Sequence, residues 1–180
     1  MTEQHPVAST DIQAAETQDS DHAELDRLVR GIGQVCISAS MLEAELAFLA
    51  LTLDDWKDEK YRAVLSNTGR ALREYKALVP RLEAFGLGPD PRTLLDEATR
   101  LLHERHRVVH SVMMIEVKGA NEPVYEAWHA RSDETRDIDP AELYKLAEDL
   151  GLLFIEAHAF ARGWEERAER DGWPVLPQAS

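Results

Sequence analysis

Arg105, His106 and His110 are the residues of this chain whose types and spacing can do chemistry. They lie in Leu101-Leu102-His103-Glu104-Arg105-His106-Arg107-Val108-Val109-His110-Ser111. Helical spacing puts Leu94, Leu95, Ala98, Leu101, Leu102, Val108, Val109 and Val112 on one apolar stripe, and Arg105 falls in its middle. The residues one turn either side are Leu101, Leu102, Val108 and Val109, so its own helix offers Arg105 no carboxylate. Nearby arginines differ: Arg100 has Asp96 and Glu97 one turn back, and Arg107 has Glu104. Those two read as solvated ion pairs, whereas Arg105 needs either a carboxylate from another helix or an anionic ligand, because a lone buried guanidinium is too costly.

His106 and His110 are four residues apart and share a helix face. Arg105 and His110 are separated by about 140° around an ideal helix, so they do not touch as neighbours but can flank a groove at the helix end. His110 sits near a helix C-terminus, where the dipole favours the protonated imidazole and brings its titration within reach of neutral pH. Such a set suits phosphodiester chemistry without a metal. An imidazole takes a proton from a ribose 2′-hydroxyl or gives one to the leaving oxygen, and a guanidinium grips the phosphate and steadies its developing charge. A 2′-hydroxyl nucleophile would select RNA over DNA.

Other readings of the same residues stay open. Histidines four apart can share a metal ion, and His103, His106 and His110 invite that reading, with a third ligand from His129, His158 or an acid. Nothing in the spacing singles one out, and no metal or cofactor is expected. Trp56, Trp128, Trp164 and Trp173 read as packing residues rather than base-stacking platforms, and Met113 and Met114 as strand residues. The chain has no glycine-rich phosphate loop, nucleophile elbow or paired-cysteine motif.

The elements that must position these residues are mostly helical. Residues 1–20 hold no Lys or Arg and few large apolar residues, and read as a disordered acidic tail. Asp21 with Glu24 makes a capping box opening a long helix whose buried face is Leu25, Leu28, Val29, Ile32, Val35, Cys36, Ala39, Leu42, Leu46, Leu49 and Leu53. Gly31 and Gly33 weaken that helix and mark either a close crossing or nothing. Asp55 caps a short second helix to about Leu65, and Ser66-Asn67-Thr68-Gly69 is a break. Leu72, Tyr75, Leu78, Val79, Leu82 and Phe85 form a third helix that Pro80 should kink or end early.

Asp90-Pro91 is an N-cap followed by proline at the first helical position, and the fourth helix runs from there to about Ser111. Residues 112–117 and 124–130 are β-type runs joined through Gly119, Asn121 and Pro123, and predict a hairpin that must pack on the helices or pair with another chain. Asp139-Pro140 with Glu142 opens the last helix, through Leu143, Leu146, Leu150, Leu153, Phe154, Ala157, Phe160 and Trp164. The expected fold is mainly α: a bundle of about five helices with a small β-hairpin before the last, one domain over residues 21–172, and a flexible tail over 173–180.

The net charge of −14 argues against unspecific binding to nucleic acid, DNA included. Residues 60–110, however, carry ten Lys or Arg against six acids, a local net of +4 within a remainder of −18. This reads as a solvated helix face or a local anion site. The single cysteine, Cys36, cannot form an internal disulfide, and the first residues lack a basic start followed by an apolar run. No apolar segment is expected to cross a bilayer, which makes the cytoplasm the natural compartment.

The Arg105, His106 and His110 pattern resembles the HEPN superfamily of small α-helical proteins, marked by an arginine, a polar residue and, a few residues later, a histidine on a late helix. The resemblance implies a helical bundle, frequently a homodimer in which two such helices meet, and metal-independent RNA cleavage in a toxin-antitoxin or defence setting. Arg105 would then stabilise the phosphate, His110 act as acid or base, and His106 assist; RNA would be the substrate and an antitoxin a possible protein partner. Other members are non-catalytic interaction or scaffold modules, which is the alternative reading here, and a small metal-binding bundle is a third.

Overall fold

The computed structural model describes residues 9–52, 58–66, 69–85, 90–118, 122–129 and 134–171. Five helices, α1 (Ser9–Thr52), α2 (Asp58–Leu65), α3 (Arg70–Phe85), α4 (Pro91–Val109) and α5 (Pro140–Asp171), form the bundle. Between α4 and α5 the strands β1 (Val112–Lys118), β2 (Glu122–His129) and β3 (Glu134–Asp137) make an antiparallel sheet in the order β1-β2-β3. The hairpin expected from sequence is β1 with β2, in a register that sets Ile115 opposite Tyr125. The third strand is an addition: Glu134-Thr135-Arg136-Asp137 has no apolar alternation to announce it, and it pairs with β2 in a register that sets Ala127 opposite Arg136.

Local chemistry explains where the helices start and stop. Asp90 caps α4, its carboxylate accepting from the Arg92 N–H at 3.0 Å and the Thr93 hydroxyl at 2.9 Å, with Pro91 buried behind it. Asp139 caps α5 in the same way, accepting from the Ala141 N–H at 2.8 Å. Gly69, at φ 76°, takes the left-handed turn before α3, and its N–H donates to Glu43 of α1 at 3.3 Å. The Thr93 hydroxyl, then the Arg92 N–H, hold the Asp90 carboxyl below the usual aspartate range. Such a group stabilises the fold above its unfolded pKa and loses that contribution as pH falls through its folded pKa. We therefore expect the melting temperature of Asp90→Asn, which keeps a capping oxygen, to match the parent in strong acid and to fall below it at neutral pH; a constant gap across that range would contradict it.

Three expectations need correction. The chain is helical from Ser9, inside the segment read as a tail, so α1 starts well before its Asp21 capping box. Of the two outcomes expected at Pro80, a kink or an early end, the early end does not occur, since α3 runs through Pro80 to Phe85; Pro80 and Lys76, the residue whose carbonyl loses its donor, are both exposed, so water can satisfy that carbonyl. Ala23–Leu51 is long and apolar enough, by length and composition, to cross a bilayer, contrary to the expectation that no segment would be. In the bundle this stretch is the central core helix, with Leu28, Val35, Leu42 and Leu46 buried. The expected 173–180 tail lies outside the described residues.

The helix pair α1 and α5 forms the spine. A Cβ on Gly31 would meet Leu143, one on Gly151 would lie 4.0 Å from the Ser38 hydroxyl, and His158 reaches Glu45 at 3.3 Å. Residue numbers rise together along both helices, so α1 and α5 run parallel. The two early glycines thereby acquire different meanings. A methyl at Gly31 would come within 2.9 Å of the Leu143 Cβ, an atom fixed to the backbone, whereas one at Gly33 would meet nothing. Gly33→Ala should gain about 0.5–1 kcal/mol of helix stability, and Gly31→Ala should lose about 1–3 kcal/mol to overpacking, read by denaturant unfolding of both. Equal shifts would show that the crossing is not tight.

The opposite side of α1 departs from its expected stripe. Leu25 is 36% exposed and Val29 60% exposed, because the neighbouring helices cover only part of the helix circumference; Ile37, left off the stripe, is exposed as well. Leu53 and the side chain of Phe85 lie outside the described residues. Tyr75 seals the α3–α4 junction, its buried hydroxyl donating to the Pro91 carbonyl at 3.2 Å, and burial, then the Asp90 charge, raise its pKa. On the surface, Arg92 of α4 makes a paired contact with Glu83 of α3 at 2.7 and 2.9 Å.

Candidate functional site at the end of α4

The stripe of α4 is buried through Leu94, Leu95, Ala98, Leu101 and Leu102, and then burial declines: Arg105, Val108 and Val109 are half-buried. Arg105 thus occupies the place where the helix leaves the bundle. Its Nε is buried without a hydrogen-bond partner, and no described carboxylate pairs with it. The two arginines read as solvated ion pairs do find acids, Arg100 with Glu97 at 2.5 Å and Arg107 with Glu104 at 3.8 Å. The hydrogen bond from Arg100 holds the Glu97 carboxyl below its usual range.

The helix closes at His110, which has φ −102° and ψ 8° and donates its N–H to the His106 carbonyl at 3.1 Å. The Ser111 hydroxyl donates to the Arg107 carbonyl, so two carbonyls of the last turn are satisfied before the chain enters β1. This closure keeps His110 on the helical path, and its ring meets that of His106 with centroids 4.3 Å apart and planes at 48°. His110 and His103 are exposed and His106 is half-buried. The shared face expected for His106 and His110 is therefore present, with Arg105 about 100° around the helix from the former.

Among the described residues no three His, Cys, Asp or Glu side chains converge as a metal site. His158 lies against Glu45 and stacks on Phe154 at a centroid distance of 6.1 Å, in the α1–α5 pair. The side chain of His129 lies outside the described residues. Trp164 is buried, in keeping with a packing role, and Trp128 is half-buried; Trp56 and Trp173 lie outside the described residues.

A cavity of about 420 Å³ opens on the other side of α4, between that helix, the end of the sheet and the start of α5. Its lining includes Glu104, Arg107 and Val108 of α4, Arg136 and Ile138, and Leu143 and Leu146 of α5, but none of Arg105, His106 and His110. Sequence reasoning missed it. The signal available was the local basic excess of residues 60–110, to which Arg100 and Arg107 belong; Arg136 and the α5 residues come from outside that window.

Fold and site together define a mainly α-helical bundle with an inserted three-stranded sheet and a pair of histidine rings at the end of its fourth helix, where Arg105 is also carried. No family model, curated protein or solved structure matches this chain.

Proposed function

We propose that this protein is a metal-independent ribonuclease of the HEPN-like kind, working in the cytoplasm as a homodimeric toxin or defence protein. The observation that carries the reading is Arg105: a half-buried guanidinium whose Nε has no hydrogen-bond partner, on the residue preceding His106, whose ring meets that of His110. A cation held at the edge of an apolar core without an internal carboxylate is suited to an external anion. In this reading Arg105 binds the scissile phosphate. His110 takes the proton of the 2′-hydroxyl as its oxygen attacks phosphorus, or returns a proton to the departing 5′-oxygen, leaving a 2′,3′-cyclic phosphate. His106 orients the His110 ring.

The test is cleavage of single-stranded RNA by the purified chain in excess chelator, beside a DNA of the same sequence. RNA should be cut and DNA spared, and His110→Ala should slow cleavage by about 10²–10⁴-fold with no change in melting temperature, since the ring is exposed. An inert parent, or a His110→Ala variant as fast as the parent, would overturn the reading.

A second reading is a non-catalytic interaction module on the same scaffold. It is favoured by the position of the 420 Å³ cavity, which opens away from the histidines, and by the net charge of −14, which works against a polyanionic substrate.

A further inference from the structure

The cavity behind α4 has an apolar floor beneath a rim whose cations are already engaged. Its volume of about 420 Å³ falls within the range of natural ligand pockets. Val108 of α4, Ile138, and Leu143 and Leu146 of α5 supply the floor, and Leu143 is itself buried in the core, so the floor is backed by the bundle. At the rim, Arg100 is bonded to Glu97 at 2.5 and 3.0 Å and Lys145 to Asp149 at 3.1 and 3.3 Å, both acids lying outside the lining. Arg136 is bonded to Glu142 at 2.6 Å, and Arg107 has a further partner besides Glu104.

With its donors spent, this rim has acceptors to offer. Glu104 stands 3.8 Å from Arg107 and 3.7 Å from Arg136, beyond hydrogen-bond length, so its carboxylate keeps acceptor capacity. The Ser111 hydroxyl gives its hydrogen to the Arg107 carbonyl, which leaves its oxygen as an acceptor too. Glu104, Val108 and Ser111 follow one another at spacings of four and three, so both acceptors and an apolar contact share one face at the end of α4. Such a lining selects a ligand head that donates. Charge narrows the class further. A cationic head on Glu104 would be repelled by the two guanidiniums that flank it, and an anionic head would meet Glu104, Glu142 and Asp137 while the rim cations are engaged elsewhere. An uncharged donor meets neither repulsion.

We propose that this cavity binds a small neutral alcohol, its hydrocarbon body on Val108, Ile138 and Leu146 and its hydroxyl donating to Glu104. The site is separate from the Arg105, His106 and His110 surface and stands whether or not that surface cleaves RNA.

The experiment is titration calorimetry of the full chain with octanol, beside octanoate, octylamine and heptyl methyl ether, which keep the chain and change the head. One octanol should bind per chain and raise the melting temperature. The ether, which has no hydrogen to donate, should bind about tenfold more weakly, the loss expected for a hydrogen bond to a charged group, and octanol should bind Glu104→Ala more weakly by the same factor. Octanoate and octylamine should each bind more weakly than octanol. Val108→Phe and Ile138→Phe, which fill the floor from two walls, should each abolish binding, with cooperative unfolding showing that the variant is folded. Ile155→Asp, on an exposed apolar position of α5 outside the lining, should bind octanol as the parent does. The proposal is overturned by an absence of saturable binding, by either charged head or the ether binding as tightly as octanol, or by binding that is lost in Ile155→Asp and kept in the folded phenylalanine variants.

Discussion

Replacing Arg105 with methionine is expected to raise thermal stability and, if the proposed nuclease reading holds, to slow RNA cleavage. The two effects share one cause. The Arg105 Nε is a donor taken out of water with no acceptor in return, which costs a fold about 1–3 kcal/mol. Methionine keeps the length and apolar stem of the side chain, has a similar helix propensity, and buries no donor. The folded state should therefore gain about 1 kcal/mol or more, read as a higher denaturant midpoint at unchanged slope. In the proposed nuclease, loss of this cation should at the same time slow cleavage by about 10²–10³-fold, the range seen when one charge-stabilising donor is removed. Arg105→Lys should recover little activity, because an ammonium cannot give the paired hydrogen bonds of a guanidinium. A destabilised Arg105→Met protein would mean that the guanidinium serves the fold, and the nuclease reading would lose its main support.

Leu153→Ala should cost about 2–5 kcal/mol, and Leu152→Ala less than about 0.5 kcal/mol, although the two leucines are adjacent. Leu153 is 4% exposed and Leu152 54% exposed. The first fills the space between α5 and its neighbours, so truncation removes transfer free energy and leaves a cavity in a close-packed interior. The second stands on the outer side of α5. Against a typical stability of about 5–15 kcal/mol the first change is enough to threaten folding. Paired urea titrations would check it, and similar midpoints for both variants would mean that α5 is not seated as described.

Local features were legible in the sequence because their causes lie within about one helical turn. Asp90 with Pro91, and Asp139 with Pro140, announce the starts of α4 and α5, and their capping hydrogen bonds are present. The ion pairs of Arg100 and Arg107 follow from spacings of three residues. The histidine pair follows from a spacing of four. Where prediction failed, the deciding partner was remote or absent from the pattern. The strand β3 forms because β2 offers it a free edge. Pro80 does not end α3, which carries it, with Lys76, on its exposed side. Leu25 and Val29 are exposed because the bundle runs out of helices to cover α1.

Periodicity and capping by themselves determined that this chain is mostly helical, where α4 and α5 begin, and that Arg105 interrupts an apolar stripe beside two histidines on one face. Only the tertiary structure decided that Gly31 is a helix crossing and Gly33 is not, that Arg105 sits at the margin of the core without a described carboxylate, and that a cavity lies behind it. The reason is one of range: hydrogen bonds and side-chain neighbours three or four residues apart are written in one dimension. A cavity closed by Glu104, Arg136 and Leu146 exists only after α4, the sheet and α5 have packed together.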